Sequence, residues 1–282
     1  MTDFKHIVYQ PGPVARIVLN RPRYRNAQSA RMIYELDEAF RSAGEDPAVR
    51  VIILSGAGQS FCAGHDLGTP EEMEDPRRWM APEDRLGRYV RQRQQYVEAT
   101  LRWRNTPKPT IAMVHGFCIY GGWIFAASMD LVFAAEDALF LPSNLQYFTA
   151  PWDIGPKKAK EILYEGRFIT AREAQELGFV NRLFPPEDLE RETLAYAERV
   201  AGRGAVGPRM TKFMVNNTLD FMGYSASVEA NYQTYAFTGF PEQRPTMQRP
   251  QGARRQLQGV GYALELLDQG IPPRPARAEA AP

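Results

Sequence analysis

Apolar residues change their spacing several times along this chain, and each change marks an element. Two β-branched runs, 6–9 and 15–19, flank the Pro- and Gly-punctuated stretch 10–13 and read as a β-hairpin. Met32, Ile33, Leu36 and Phe40 then recur at helical spacing within 29–42, and the continuous apolar run 49–54 ends at Gly56 as a buried strand. Leu86, Tyr89, Val90, Val97 and Leu101 predict one helix over 86–103 with a single apolar face. Strands over 109–114, 131–135 and 179–183 alternate with a small-residue helix over 121–129. Alternation of this kind predicts an α/β core.

The acidic, Pro-rich segment 69–84 breaks the pattern and reads as a surface excursion. Past residue 207 the spacing becomes helical: Met210, Phe213, Met214, Leu219 and Met222 recur along one face, and 224–237 is rich in aromatics. The chain thus divides into a core over 1–200, a helical region over 201–270 and a tail over 271–282 whose composition predicts disorder. The large apolar groups of the helical region need a covering surface, in the same chain or in a neighbouring subunit, and oligomerisation is expected.

Composition narrows the partners. Apolar residues make up 44% of the chain, and 34 Lys and Arg balance 33 Asp and Glu, so no general field favours nucleic acid or an anionic membrane. A small soluble partner is expected. Two cysteines are too few for a disulfide framework, the opening residues lack a signal-peptide pattern, and the apolar runs fall far short of the roughly 20 residues that span a bilayer; the expected location is cytoplasmic. A Gly-x-Gly pair at 56–58 ends a strand, but Phe61 stands where a dinucleotide site has its third glycine. Neither a Walker sequence nor metal-ligand spacing nor a G-x-S-x-G elbow is present, so neither a metal nor a separate cofactor is expected.

Chemistry concentrates in two stretches. In 111–126 a strand passes through small residues into a helix that starts at Gly121 and Gly122, where unpaired N–H groups can hold an anion or a developing oxyanion. The turn at Gly64 and His65, also after a strand, offers a second N–H; such donors are each worth about 2.7–4 kcal/mol in a transition state. The competing reading is that these glycines only allow close packing. At His65 itself the backbone amide is one candidate and the imidazole, as general base, the other.

Four ordered stretches, Ile17 to Ala27, Val51 to Leu67, Ile111 to Gly116 and Ala159 to Asn181, resemble the crotonase superfamily, the enoyl-CoA hydratase/isomerase family. The resemblance implies a spiral of ββα units, a helical trimerisation region, a homotrimer or hexamer, and an acyl-CoA thioester as substrate, with CoA the sole carrier group. It places the two oxyanion donors on the amides of His65 and Gly121, and the CoA chain along Ala63, Asp66, Leu67 and Gly68. A basic residue beside the early Asn-Ala pair, here Arg23 or Arg25, would meet the CoA phosphates or else lie in a solvated turn. Segment 69–84 would be a flap over the acyl pocket.

Departures from the family matter for mechanism. The two glutamates that act on water in its hydratases correspond here to Ile124 and Ser143. Asp153 is the leading replacement; near a helix whose first turn holds Pro156 it is expected either to cap that helix or to act as a base or nucleophile of lowered pKa. Tyr120 and Tyr147 are phenol candidates or core aromatics, Ser143 could orient water, and Cys62 reads as packing. Trp79, Trp123 and Trp152 are candidate pocket walls. The function expected is hydratase- or isomerase-like thioester chemistry, with ring-opening C–C hydrolysis of a cyclic β-keto acyl-CoA, or silent acyl-CoA binding, as alternatives.

Overall fold

The computed structural model describes residues 4–79, 84–143, 148–239 and 251–272. The strands in chain order are β1 (Ile7–Gln10), β2 (Val14–Leu19), β3 (Val51–Gly56), β4 (Thr110–Val114), β5 (Phe117–Ile119), β6 (Leu131–Ala135), β7 (Leu139–Leu141), β8 (Ile169–Thr170) and β9 (Arg182–Phe184). The helices are α1 (Ala30–Glu45), α2 (Pro70–Glu74), α3 (Arg85–Arg93), α4 (Ala99–Arg104), α5 (Gly121–Ala127), α6 (Ala150–Asp153), α7 (Pro156–Glu165), α8 (Ala171–Glu176), α9 (Leu189–Ala201), α10 (Val206–Phe221), α11 (Tyr224–Gly239) and α12 (Gln251–Asp268).

β1 and β2 form the expected antiparallel hairpin, Ile7 opposite Leu19, and β2 buries every second residue. From β2 onward the main sheet is parallel, in the order β1-β2-β3-β4-β6-β9, while β5, β7 and β8 make a smaller sheet. β3 is covered on both faces: Ile52 and Leu54 join the main core with Met32, Leu36 and Phe40 of α1, and Val51 and Ile53 join Ile111, Met113 and Phe133 against Leu189 and Ala197 of α9. Two covered faces explain why its sequence is a continuous apolar run instead of an alternating one. α1 begins where expected, because the Ser29 hydroxyl accepts the Met32 N–H at 3.0 Å.

Two expectations need correction. The helix over 86–103 is broken by a π turn at Gln94–Glu98, and large apolar side chains are buried only from there on: Leu86 is 68% exposed, whereas Tyr96, Val97 and Trp103 are buried. The residue added by a π turn shifts the phase of the apolar stripe, so one face cannot run through both halves. Segment 69–84 is not a bare excursion, since it contains α2, capped by Thr69 and pinned by buried carboxylates. Glu72 accepts from the Ala30 amide at 2.9 Å and from Arg78 at 2.8 Å, and Asp75 pairs with Arg31; residues 80–83 lie outside the described set. His6, in the hairpin, bonds Ser29 through Nδ1 at 2.6 Å, and its amide donates to Glu35 at 2.7 Å; burial first, then Arg21, lowers its pKa to about 4.

The helical C-terminal region is present. α12 lays Ala263 and Leu267 on Ile119 and Leu141 of the smaller sheet and on Phe168 just before β8, while α10 has no fully buried residue and leaves Phe213, Met214 and Phe221 between 60% and 86% exposed. Most of the tail, from residue 273, lies outside the described residues. Among the described residues no helix is long and apolar enough to cross a membrane.

Candidate active site

The chain leaving β3 is clamped between two neighbours. On one side Cys62 donates to Phe117 O at 3.0 Å and accepts from Ile119 N at 2.9 Å; on the other, Gln28 N donates to Gly64 O at 2.7 Å and Asp66 N donates to Gln28 O at 2.9 Å. In this parallel pairing of Gln28 with His65, it is Gly64 and Asp66 that bond to Gln28, so the N–H and C=O of His65 point the opposite way. Gly64 adopts φ +93°, and a Cβ there would stand 3.1 Å from Ile119 O. Glycine is required at this turn.

Side chains tie the same turn down. Asn26, fully buried, donates to Ala57 O and Ser60 O at 2.8 Å each and accepts from Arg21 N. Asp66 is an organiser of the turn: its side chain is buried, Oδ1 accepts from the Gly68 and Thr69 amides, and Oδ2 accepts from the Thr69 hydroxyl and lies 2.8 Å from the Arg21 guanidinium, itself 2% exposed. Burial opposes ionisation of Asp66, but these bonds together outweigh it and lower its pKa. The carboxylate expected along a ligand chain is thus spent inside the protein, and only its backbone remains for such a role. Ala63 and Leu67 are half-buried beside it, and Gly68 is exposed.

Gly121 opens α5 directly against this clamp. A Cβ on Gly121 would overlap the carboxamide of Gln28, and one on Gly122 would come within 2.7 Å of Cys62 O. Through Gln28, His65 and Gly121 become spatial neighbours although they are far apart in sequence. Tyr120, just before, is held at φ +49°, donates its amide to Leu141 O at 2.7 Å, and packs its hydroxyl against Gly259 of α12; burial pushes its pKa up to about 12.

His65 is half-buried, and its ring meets Tyr96 edge-on with centroids 4.5 Å apart. Tyr96 also lines a narrow cleft of about 10 Å³, whose walls include Ile124, Thr100, Arg104, Phe148 and Thr149. Ile124, buried in α5, lines this cleft with a hydrocarbon side chain. Behind the cleft wall, Asp153 Oδ2 accepts from the Thr149 hydroxyl at 2.6 Å and from Trp123 Nε1 at 2.9 Å.

This placement corrects the reading of Asp153. It ends α6 instead of beginning α7, whose N-cap is Gly155 with no side-chain bond, so it neither caps that helix nor feels its positive end. Burial is the dominant influence and pushes its pKa up to about 7, against the smaller pull of the Thr149 and Trp123 donors. Although the residue as a whole is half-buried, the carboxyl group is enclosed by protein. A carboxyl group that titrates near neutrality can carry a proton in either direction.

The other candidates spread out. Ser143 is buried just after β7, and Tyr147 lies outside the described residues. Arg25 is exposed, left-handed at φ 48°, with its guanidinium 5.9 Å from the Phe117 ring centroid; Arg23 is exposed as well. Trp123 stacks on Phe179 at 3.8 Å, and Trp152 donates to Ser227 at 2.6 Å, so both are packing groups with bonded indoles; the Trp79 side chain lies outside the described set. Cys62 and Cys118 are buried and unoxidised, and burial pushes Cys62 up to about 12. Sequence reasoning missed Arg21, Gln28, Tyr96 and Thr149. The only signal for Gln28 was a polar residue sitting between the Asn-Ala pair and the Ser29 cap.

Comparison with known proteins agrees with this architecture. Residues 10–245 match the model of the enoyl-CoA hydratase/isomerase family. A Mycobacterium tuberculosis protein provisionally named enoyl-CoA hydratase EchA13 is 38% identical over 255 residues, covering 83% of this chain and 80% of its own. A crystal structure of a provisionally named enoyl-CoA hydratase from Mycobacterium thermoresistibile superposes with a TM-score of 0.74 at 39% identity, covering 82% of this chain and 95% of that one. An enoyl-CoA hydratase/isomerase from Xanthobacter autotrophicus Py2 gives 0.77 at 28% identity over 96% and 100% of the two chains. With the parallel sheet, the clamped turn and the helical C-terminal region as described, the chain belongs to the enoyl-CoA hydratase/isomerase family of the crotonase superfamily.

Proposed function

We propose that this protein is an acyl-CoA enzyme that stabilises a thioester enolate between the backbone N–H groups of His65 and Gly121. The observation that carries this reading is the position of Gln28, whose backbone pairs with His65 and whose side chain lies over Gly121, bringing the two residues to one point. Removal or delivery of a proton at the carbon next to the thioester carbonyl moves charge onto the carbonyl oxygen. Preorganised N–H donors at that oxygen favour the charged form at no cost in reorganisation. Backbone at Ala63, Asp66, Leu67 and Gly68 lines the CoA arm, and Arg25 is placed to meet its phosphates. Asp153, at about 7, is the proton carrier, reaching the cleft through the Thr149 hydroxyl.

Hydratase- or isomerase-like chemistry follows from family membership. A second reading, ring-opening C–C hydrolysis of a cyclic β-keto acyl-CoA, is favoured by Ile124, which puts a hydrocarbon wall where a paired acid/base would need a carboxylate. The exposed apolar face of α10 supports a homotrimer or hexamer, and the reading carries a cytoplasmic location with it.

The test is mass spectrometry of crotonyl-CoA and of cyclic β-keto acyl-CoAs incubated with the purified protein, with calorimetric binding in parallel. His65→Ala is expected to keep turnover within about tenfold, since the amide survives, and Asp153→Asn to lose about 10²–10⁴-fold. Binding without turnover on any of these substrates would support a silent acyl-CoA-binding protein, and no binding would sink the reading.

A further inference from the structure

Tyr120 holds a backbone conformation that its own Cβ opposes. Its φ of +49° with ψ of −102° lies outside the left-handed helical region that Arg25 occupies at φ 48° and ψ 41°, and a non-glycine residue there is strained. Such strain persists only where the surroundings over-determine it. Here the Tyr120 amide donates to Leu141 O at 2.7 Å, and its carbonyl accepts from Ile124 N at 3.3 Å. The half-buried ring packs with Ile119, Leu141 and Phe168 and with Val260 and Ala263 of α12, and its hydroxyl lies so close to Gly259 that a Cβ there would stand 2.6 Å away. The next peptide plane carries the Gly121 N–H, and the ψ of Tyr120 sets its direction.

We propose that Tyr120 is a positioning residue: its ring, seated on α12, holds the strained peptide that aims the Gly121 N–H at the thioester oxygen. A helix from the far end of the chain thereby governs the direction of one donor without touching the substrate. Glycine would adopt this backbone without opposition, though with nothing to hold it there. Alanine would keep the opposing Cβ and lose the ring that overcomes it. The two truncations are therefore ordered, with glycine retaining more of the donor's aim than alanine. A ring that only fills space between α12 and the smaller sheet would leave that aim unchanged in both. This inference rests on the enolate reading above.

The experiment follows the ultraviolet band of the acetoacetyl-CoA enolate against pH in saturated complexes, with a binding isotherm and a melting curve for each protein. The proteins are the wild type, Tyr120→Ala, Tyr120→Gly, Gly259→Val, and Gly259→Val combined with Tyr120→Gly. In the wild type the bound ligand should ionise at lower pH than the free one. Tyr120→Ala should lower the enolate-to-keto ratio of the bound ligand by about tenfold, and Tyr120→Gly by less. Gly259→Val, which displaces the ring, should lower that ratio when Tyr120 is present and change nothing further when Tyr120→Gly has removed it. Folded alanine and glycine variants that ionise the ligand alike overturn the assignment, and so does a Gly259→Val loss of equal size in both backgrounds. If Tyr120→Ala does not fold, the Gly259→Val comparison decides alone. A wild type that binds the ligand without shifting its ionisation refutes the enolate reading and this inference with it, and one that does not bind refutes the acyl-CoA reading; both differ from a shift that the variants leave intact.

Discussion

Trp123 Nε1 stands 2.9 Å from Asp153 Oδ2, so one indole both stacks on Phe179 and holds the carboxyl group that titrates near neutrality. An aspartate in the unfolded chain titrates near 3.9. Raised to about 7 in the folded protein, Asp153 is protonated there while its unfolded counterpart is already ionised, so stability falls as pH rises between those values. Asp153→Asn keeps an acceptor for both donors and removes the titration. Its melting temperature minus that of the wild type should grow more positive from pH 5 to pH 8, as thermal melts would show. The wild-type pH–rate profile should inflect near 7, and a folded variant with residual activity should lack that inflection.

The Arg21–Asp66 pair gives an asymmetric prediction. Asp66 retains three other donors when Arg21 is lost, whereas Arg21 without Asp66 keeps Ala27 O, Thr69 and the half-exposed Glu71. Breaking a buried pair typically costs about 3–5 kcal/mol. Asp66→Asn should fall in that range in denaturant unfolding and Arg21→Met below it; equal costs would show that the ion pair, and not the turn around it, dominates.

Gly121→Ala should destabilise the protein by about 1–3 kcal/mol through overpacking against Gln28. Shortening the obstacle should reverse this. The double variant Gln28→Ala, Gly121→Ala is therefore expected to cost less than the sum of the two single changes, and a double-mutant cycle measures the coupling.

Phe213→Asp and Met214→Asp test the apolar face of α10. If that face is covered by another subunit, light scattering should find the wild type assembled and the variants of lower mass. Unchanged mass would move the interface elsewhere.

How much of this was legible in the sequence depended on which residues carried each feature. β3, α1 and the turn into α5 were readable because they depend on apolar spacing and on glycines where a strand turns into a helix. The π turn was not readable, since Gln94–Glu98 has ordinary helical composition and only packing of Tyr96 and Val97 reveals the added residue. Asp153 was found as a residue but misjudged in its environment: proximity to Pro156 suggested a helix start, whereas Trp123, distant in sequence, and Thr149 hold its buried carboxyl group. Gln28 escaped because the burial of a polar side chain is invisible until its surroundings are known.

The clamp around residues 62–66 separates what this protein must hold from what it can vary. Bonds from Gln28 on one side and β5 on the other hold the main chain to either side of His65, and the buried Asn26 and Asp66 side chains secure the turn around it. The cleft wall is built from other elements, with Ile124 on α5 and Tyr96 on the π turn, so its lining can be exchanged without touching those bonds. On the proposed reading, a chain built this way keeps its charge-bearing amide while single substitutions reshape the cleft beside it, because that amide is inherited from the fold.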